Sequence, residues 1–487
     1  MKLLISSAGP LDGFIGGGQV YVQNLARELR RRAIDFAIVS PDAWSGASDG
    51  LFHVAWREWE GIRVAGVSLN PAKVSAGDRW SSISDAMLDG LRKVLDTVQP
   101  DVMHLNGLKA ALVALGREKK IPTVVTAHHG GIACPAGAQL QPDDSVCEKP
   151  VDARWCVGCY CQQLPGGGAM GKILAAVPPI IYRPLGRALN QMSNPGYAGR
   201  AAMYPWLVEQ TIPAMRIAVT QADQYIAPSR AIANVLIRNG TPVDRIRIVP
   251  HGISPLPAKP IEGLGSRPVR FGYVGQISRP KGVKFLLEAF SRLTPDSARL
   301  EIIGTPQRAG EKAYLEEAMK PLAGRDDVVL RGAVPHADVA DAIARFDVLV
   351  LPAIYLEVFG LVILEAFSVG RPVIVTDCGG PAEIVRDGVD GLIVPPRDVD
   401  ALARAMQSLI DDPRRIAAMA SAIQPVRTLD QHVDNLEQIL QSQLARSNSA
   451  VETNLAVASE ADARRNSSTN RDESSNKSLD VALDGRS

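Results

Sequence analysis

The stretch from Leu351 to Pro396, LPAIYLEVFGLVILEAFSVGRPVIVTDCGGPAEIVRDGVDGLIVPP, permits few folds. Short apolar runs alternate in it with loops and one helix-length segment. Leu349–Leu351 end a run that fits a buried parallel strand, and residues 352–359 form a loop. Gly360 to Val369 predict a helix with apolar Leu361, Val362, Leu364, Ala366 and Phe367. Gly370 supplies a left-handed stop and Pro372 prevents continuation. Val373-Ile374-Val375 is the next strand. Gly379-Gly380 turns into a short helix at 381–386, and Leu392-Ile393-Val394 closes the unit.

The chemistry lies where the loop meets the helix. The free N–H groups of Val358 to Val362 would point out of a helix start, where the dipole favours an anion. Glu357 stands just before the junction and Glu365 one to two turns inside. An anion site between two carboxylates suits a ligand with phosphates for the amides and hydroxyls for the carboxylates. Taken singly, each glutamate reads as a solvated charge. Together they come with Phe359-Gly360, Gly-Arg-Pro-Val, Gly-Gly-Pro-Ala-Glu and Asp-Gly-Val-Asp-Gly. Over about forty residues this resembles the E-x7-E region of the family 4 retaining glycosyltransferases of the GT-B fold.

The 487 residues are too many for one core. A net charge of +1 implies no polyanionic partner, so no nucleic acid is expected. The opening MKLLISSAGPLDG is too short an apolar run for a signal peptide, and no run of eighteen apolar residues exists. The expectation is a cytoplasmic protein, with peripheral contact at the inner face of the membrane as an added option.

Lys2–Ser6 predicts a strand, Gly13 and Gly16-Gly17-Gly18 a glycine loop, and residues from Gln19 a helix. That order lets a backbone approach a phosphate. Residues 41–60 read as an irregular excursion. Val102–Leu105 is a short buried strand carrying His104 and followed by Asn106. Ile121–Thr126 is another, ending in His128-His129. Beyond it, Cys134, Cys147, Cys156, Cys159 and Cys161 crowd a stretch with little apolar material. Cys156-x-x-Cys159 has metal-ligand spacing, and Cys134 and Cys147 would complete a four-thiolate site for structural zinc or an iron–sulfur cluster. The x12 and x8 gaps do not form a standard paired-knuckle pattern, so reduced thiols or a labile disulfide stay open. Residues 165–205 mix apolar residues with Lys172, Arg183, Arg187 and Arg200. They fit a helical pair packed on the N-terminal domain, or a surface for a membrane or a lipid-linked acceptor.

Residues 253–267, rich in Pro, Gly and Ser, form a linker. After it, Val269–Val274 restarts the alternation, and GQISRPKG leads into a helix. From Asn448 on, polar residues dominate and predict a disordered tail. The resulting expectation is an α/β chain of two doubly wound, Rossmann-like domains facing a cleft. Residues 1–252 make an acceptor-side domain with a cysteine-bearing insert at 131–205, and 268–425 a nucleotide-sugar-binding domain. Residues 426–446 form a helix crossing back, and 447–487 the tail.

The resemblance implies a site residue by residue. Gly17 and Gly18 match the loop placed against the donor diphosphate. Lys281 matches the lysine that clamps it. Gln276 stands where relatives carry arginine, and Arg279 is the nearby replacement. Arg331 and Gly332 match the turn that reads the nucleobase. Phe359, Gly360 and Leu361 match the amides facing the phosphates. Glu357 would hold the transferred sugar, Glu365 the ribose, and His128 the sugar from the other domain. The implied function is metal-independent, retaining transfer of a hexosyl group from a UDP-, GDP- or ADP-sugar. The acceptor is a saccharide, a lipid-linked or a small-molecule hydroxyl, in polysaccharide or glycolipid assembly, and catalysis needs no cofactor. The alternative is a non-catalytic nucleotide-sugar-binding partner subunit, favoured by Gln276 and Asn106.

Overall fold

The computed structural model describes residues 1–449 apart from 13–15, 44–49, 78–82, 165–167, 193–195 and 255. Gly13, and the expected tail from 450 on, lie outside the described residues.

Apolar runs of four to eight residues build two sheets. The first contains β1 (Lys2–Ser6), β2 (Asp35–Pro41), β3 (Phe52–Trp59), β4 (Ile62–Leu69), β5 (Val102–Leu105), β6 (Thr123–Thr126), β7 (Gln224–Ala227) and β8 (Ile246–Ile248), in the order β3-β4-β2-β1-β5-β6-β7-β8. The second contains β9 (Val269–Val274), β10 (Ala298–Ile303), β11 (Val328–Gly332), β12 (Val348–Leu351), β13 (Val373–Thr376) and β14 (Gly391–Val394), in the order β11-β10-β9-β12-β13-β14. Every pairing is parallel except β3 with β4. Helices cover both faces, so the central strands β5, β6, β7, β12 and β13 are buried throughout.

Two expectations are corrected. Residues 41–60 are not wholly an excursion, since Phe52–Trp59 is an edge strand paired antiparallel along its length with β4. Its partly exposed, charged face hid it. The 131–205 region is also less poor in apolar contacts than expected. Helices Ala153–Gln162, Gly168–Ala176, Pro179–Asn190 and Gly196–Thr220 bury a core of their own around Cys161, Tyr182, Met203 and Trp206. The last of these helices runs 25 residues, from Gly196 to Thr220. Part of this bundle stays outward, with Ile180 82% and Tyr197 89% exposed.

In each sheet strand order reverses beside the first strand of the alternation, between β1 and β5 and between β9 and β12. Ligands of such sheets sit beyond the strands' carboxyl ends at that reversal. The loops after β9 and β12 touch there. Gly282 has φ +71°, and a side chain on it would meet the Pro352 carbonyl at 1.8 Å. Only glycine fits.

A final helix, 429–449, packs Leu429, Val433, Leu436 and Leu440 against β1 and helix Gly17–Arg31 of the first unit. Arg32 holds it with ion pairs to Asp430, Asp434 and Glu437 at 2.6–2.8 Å. The chain therefore crosses between units twice, and the crossings are bonded side by side. Ile253 N–H donates to the Arg427 carbonyl at 3.1 Å, and Leu429 N–H to the Ile253 carbonyl at 2.9 Å.

Candidate active site

Lys281 ends the loop after β9 and Glu357 ends the loop after β12, so strand reversal brings together residues 76 apart. Lys281 Nζ donates to Glu357 Oε2 at 2.6 Å, and the Tyr355 hydroxyl donates to the same oxygen at 2.6 Å. Burial alone would lower the Lys281 ammonium, but the Glu357 carboxylate beside it wins and holds it well above the ordinary lysine range. Burial, then the Glu357 charge, pushes Tyr355 up, so it stays a phenol and a donor. Tyr355 carried no signal as a site residue. Its place two residues before Glu357 in the same loop was the available clue.

Glu357 is fixed from behind as well. Its amide donates to the Cys378 carbonyl and its carbonyl accepts from Gly380 N–H, at 3.0 and 2.8 Å. The loop then turns at Gly360, φ +86°, into helix Leu361–Ser368. Among the described residues, the amides of Val358 to Val362 donate to no carbonyl outside this helix. One side of the junction thus offers a cation and open N–H groups.

Glu365 lies on that helix and differs from Glu357 in having no hydrogen-bond or ion-pair partner among the described residues. Burial pushes its carboxyl up to about 7. A carboxylate desolvated without a donor is a group that a ligand's hydroxyls would relieve.

The other predicted residues are more dispersed. Arg279 does not join Lys281. Its Nη2 lies 2.6 Å from Asp144 Oδ1, an ion pair by distance without hydrogen-bond alignment, and it donates to the Pro142 carbonyl at 2.9 Å. Gln276 contributes its carbonyl, which accepts from the Tyr273 hydroxyl at 2.7 Å. Arg331 is exposed and pairs with Glu301 at 3.3 Å, next to Gly332 at φ +73°. Gly17 and Gly18 open helix Gly17–Arg31 with free space where a side chain would stand.

His128 follows β6 at the first unit's carboxyl edge. Its Nε2 is 2.6 Å from Asn106 Oδ1, just past the end of β5. That amide oxygen only accepts, which places the proton on Nε2. His128 stacks on His251 at 5.2 Å, and His251 meets Phe359 edge-on at 5.2 Å. This ring contact links the predicted histidine to the predicted loop across the two units. Tyr21 lies among them, 4.4 Å from the His128 ring and 4.8 Å from that of His251. Its hydroxyl is 2.9 Å from His432 Nε2, and His432 Nδ1 is 2.9 Å from the Pro250 carbonyl. The carbonyl takes the Nδ1 proton, so Nε2 accepts from Tyr21. Burial holds His128 and His251 well below the ordinary histidine range, His104 at about 3 and His432 at about 4. The cluster is neutral. Sequence reasoning missed Tyr21, His251 and His432, which come from distant segments and share no local pattern.

Comparison with known families decides the class. Residues 16–252 match the glycosyl transferase 4-like domain, and residues 268–412 match glycosyl transferases group 1. The chain belongs to this glycosyltransferase family. Alpha-maltose-1-phosphate synthase of Mycolicibacterium smegmatis is 32% identical over 270 residues, covering 51% of this chain and 67% of that protein. Alpha-D-kanosaminyltransferase of Streptomyces kanamyceticus is 32% identical over 167 residues, 34% of this chain, and the match spans only 42% of that relative. Among solved structures, sucrose-phosphate synthase from Thermosynechococcus elongatus superposes with a TM-score of 0.64 at 19% identity, covering 91% of this chain and 99% of the other. Anabaena HepE in complex with UDP and glucose gives 0.59 at 19%, covering 91% and 100%. This glycosyltransferase has the GT-B fold, two parallel-sheet α/β units. Among the described residues, no helix is long and apolar enough to cross a membrane.

Proposed function

We propose that this glycosyltransferase moves a hexosyl group from a nucleotide sugar to a hydroxyl acceptor with retention at the anomeric carbon and without a metal. The observation that carries the reading is the Lys281–Glu357–Tyr355 group beside the open amides of Val358 to Val362. The bond to break joins the anomeric carbon to a diphosphate, whose departing charge needs fixed donors. In this reading Lys281 and those amides take that charge. Glu357, released from part of its hold on Lys281, takes the sugar's hydroxyls, and Glu365 takes the ribose diol. His128, neutral, orients the sugar from the opposite wall. Arg279 joins the diphosphate only by leaving Asp144. The acceptor attacks on the face the diphosphate vacates, and the diphosphate helps take its proton. HepE was solved with UDP, which supports a nucleotide-linked donor.

For the acceptor we favour a saccharide of polysaccharide or glycolipid assembly. The exposed Met170, Ile173, Ile180, Ile181 and Tyr197 of the insert support a lipid-linked form held at a membrane surface. The test is calorimetric titration of the full chain with UDP, GDP, ADP and their sugars in chelator, followed by anomeric analysis of the product by NMR. One nucleotide should bind in chelator, and its sugar should be transferred with retention. Binding without nucleotide release, even with acceptors supplied, would point to the partner-subunit reading instead.

A further inference from the structure

The fold sorts the five crowded cysteines into four and one. Cys156 and Cys159 lie three apart on helix Ala153–Gln162 and share a face. Cys161 turns the other way, fully buried in the insert's apolar core. Cys134 ends the turn Gly130–Ala133, and Cys147 closes a short hairpin made by the bridge between Leu140 and Val146. Its amide donates to the Gln139 carbonyl at 2.7 Å. Cys134, Cys147, Cys156 and Cys159 line one cavity of about 50 Å³, with Lys149 and Trp155 on its wall. None is in a disulfide.

The surroundings of the sulfurs are the second observation. The backbone curls tightly after Cys134, where the Gly137 amide donates to the Cys134 carbonyl at 2.9 Å. Gly137, at φ +88°, makes that turn possible. Gln163 Nε2 donates to Cys159 Sγ at 3.3 Å. A neutral thiol is a weak acceptor. A metal-bound thiolate is a good one, and N–H donors around it orient and tune it.

The hairpin also reaches the site. Its tip, Pro142 to Asp144, holds Arg279 by the contacts described above, and Arg397 donates to the Asp143 carbonyl at 3.3 Å. We propose that Cys134, Cys147, Cys156 and Cys159 ligate a thiophilic metal centre, zinc or an iron–sulfur cluster, that fixes this hairpin over the donor-side loop. As each sulfur bonds to metal, its proton passes to water, and Lys149 offsets part of the charge gained. A cluster enters preassembled, with its own iron and sulfide. Among the described residues, no three His, Cys, Asp or Glu side chains are gathered tightly enough to hold a single ion. The four cysteines line a cavity of about 50 Å³, so binding a metal there would require their loops to draw together.

The metal centre stands independently of the proposed reaction, and only its effect on the donor loop rests on that reading. The test uses the full chain purified without oxygen, analysed for metals, sulfide and visible absorbance. About one zinc per chain without colour, or about four irons with sulfide and colour, is expected. Cys159→Ser should lower metal content at least tenfold, while Cys378→Ser should keep it. If Cys159→Ser does not fold, chelator-driven metal release from the unaltered chain should raise hydrogen exchange across 139–147. Metal below a tenth per chain, a disulfide among the four, or full metal in a folded Cys159→Ser would overturn the centre. Unchanged nucleotide affinity after metal removal would overturn the link to the donor loop and leave the centre standing.

Discussion

The two walls that meet at Phe359 and His251 handle charge in opposite ways. The second unit's wall holds an ionised pair, Lys281 and Glu357, with Tyr355 donating to the same oxygen. The first unit's wall holds four histidines around one tyrosine, all kept neutral by burial. A cation and open amides suit a diphosphate, whereas neutral imidazoles suit hydroxyls. In the proposed reaction the leaving group belongs to one wall and sugar orientation to the other.

The largest expected effect tests the neutral wall. The unfolded chain protonates His104, His128, His251 and His432 near pH 6.5, while folded His432 waits until about 4 and His104 until about 3. Stability from these groups is complete above pH 6.5 and falls as pH drops towards 4. Four such protons give a slope approaching about 5 kcal/mol per pH unit. Urea unfolding midpoints at pH 7 and pH 5.5 would show it, and equal midpoints would mean the cluster is not neutral.

Next comes Lys281→Ala, which should cost about 4 kcal/mol in turnover, roughly a thousandfold, and weaken nucleotide binding. His128→Gln, on the other wall, should slow turnover about tenfold or more and leave nucleotide affinity intact. If calorimetry finds both variants losing nucleotide affinity equally, the division between the walls fails.

Glu365→Gln should do two opposing things. Nucleotide affinity should fall about tenfold, the worth of a charged hydrogen bond. The free protein should gain on the order of 1 kcal/mol at alkaline pH. The sign follows from the raised carboxyl, which moves from 4.5 to about 7 on folding. Its contribution is full below pH 4.5 and lost as pH rises through 7, a loss that glutamine does not suffer. Thermal unfolding at pH 6 and pH 8.5 measures the gain, and none at pH 8.5 would mean Glu365 already has a partner. Smallest should be Tyr355→Phe, about 1 kcal/mol in turnover, since Lys281 still holds Glu357. A loss matching that of Lys281→Ala would make the hydroxyl a direct contact to substrate.

Legibility followed locality. The unit from β12 to β14 could be read because apolar runs, Gly360, Gly370 and Pro372 each fix a boundary within a few residues. Family resemblance then singled out Lys281 and Glu357. Their ion pair was not readable, because it depends on β9 and β12 lying side by side across 76 residues. Residues 21, 104, 128, 251 and 432 converge from five segments, and nothing local to any of them marks the meeting point. β3 failed for another reason. Arg57 and Glu58 interrupt its apolar pattern, as edge strands tolerate. In the insert, the C-x-x-C spacing already set Cys134, Cys147, Cys156 and Cys159 apart from Cys161, but the apolar core that buries Cys161 comes from helices far along the chain and was not readable.

The paired crossings at Ile253 and Thr428 set how this molecule can open. A single linker would let the second unit swivel freely. Two strands hydrogen-bonded side by side make a strap that bends across its width and resists torsion. A rotation of one unit against the other would have to bend this doubled crossing across its width, like a door on its hinge. Cutting one crossing would leave both halves attached and folded, yet would turn that door into a swivel.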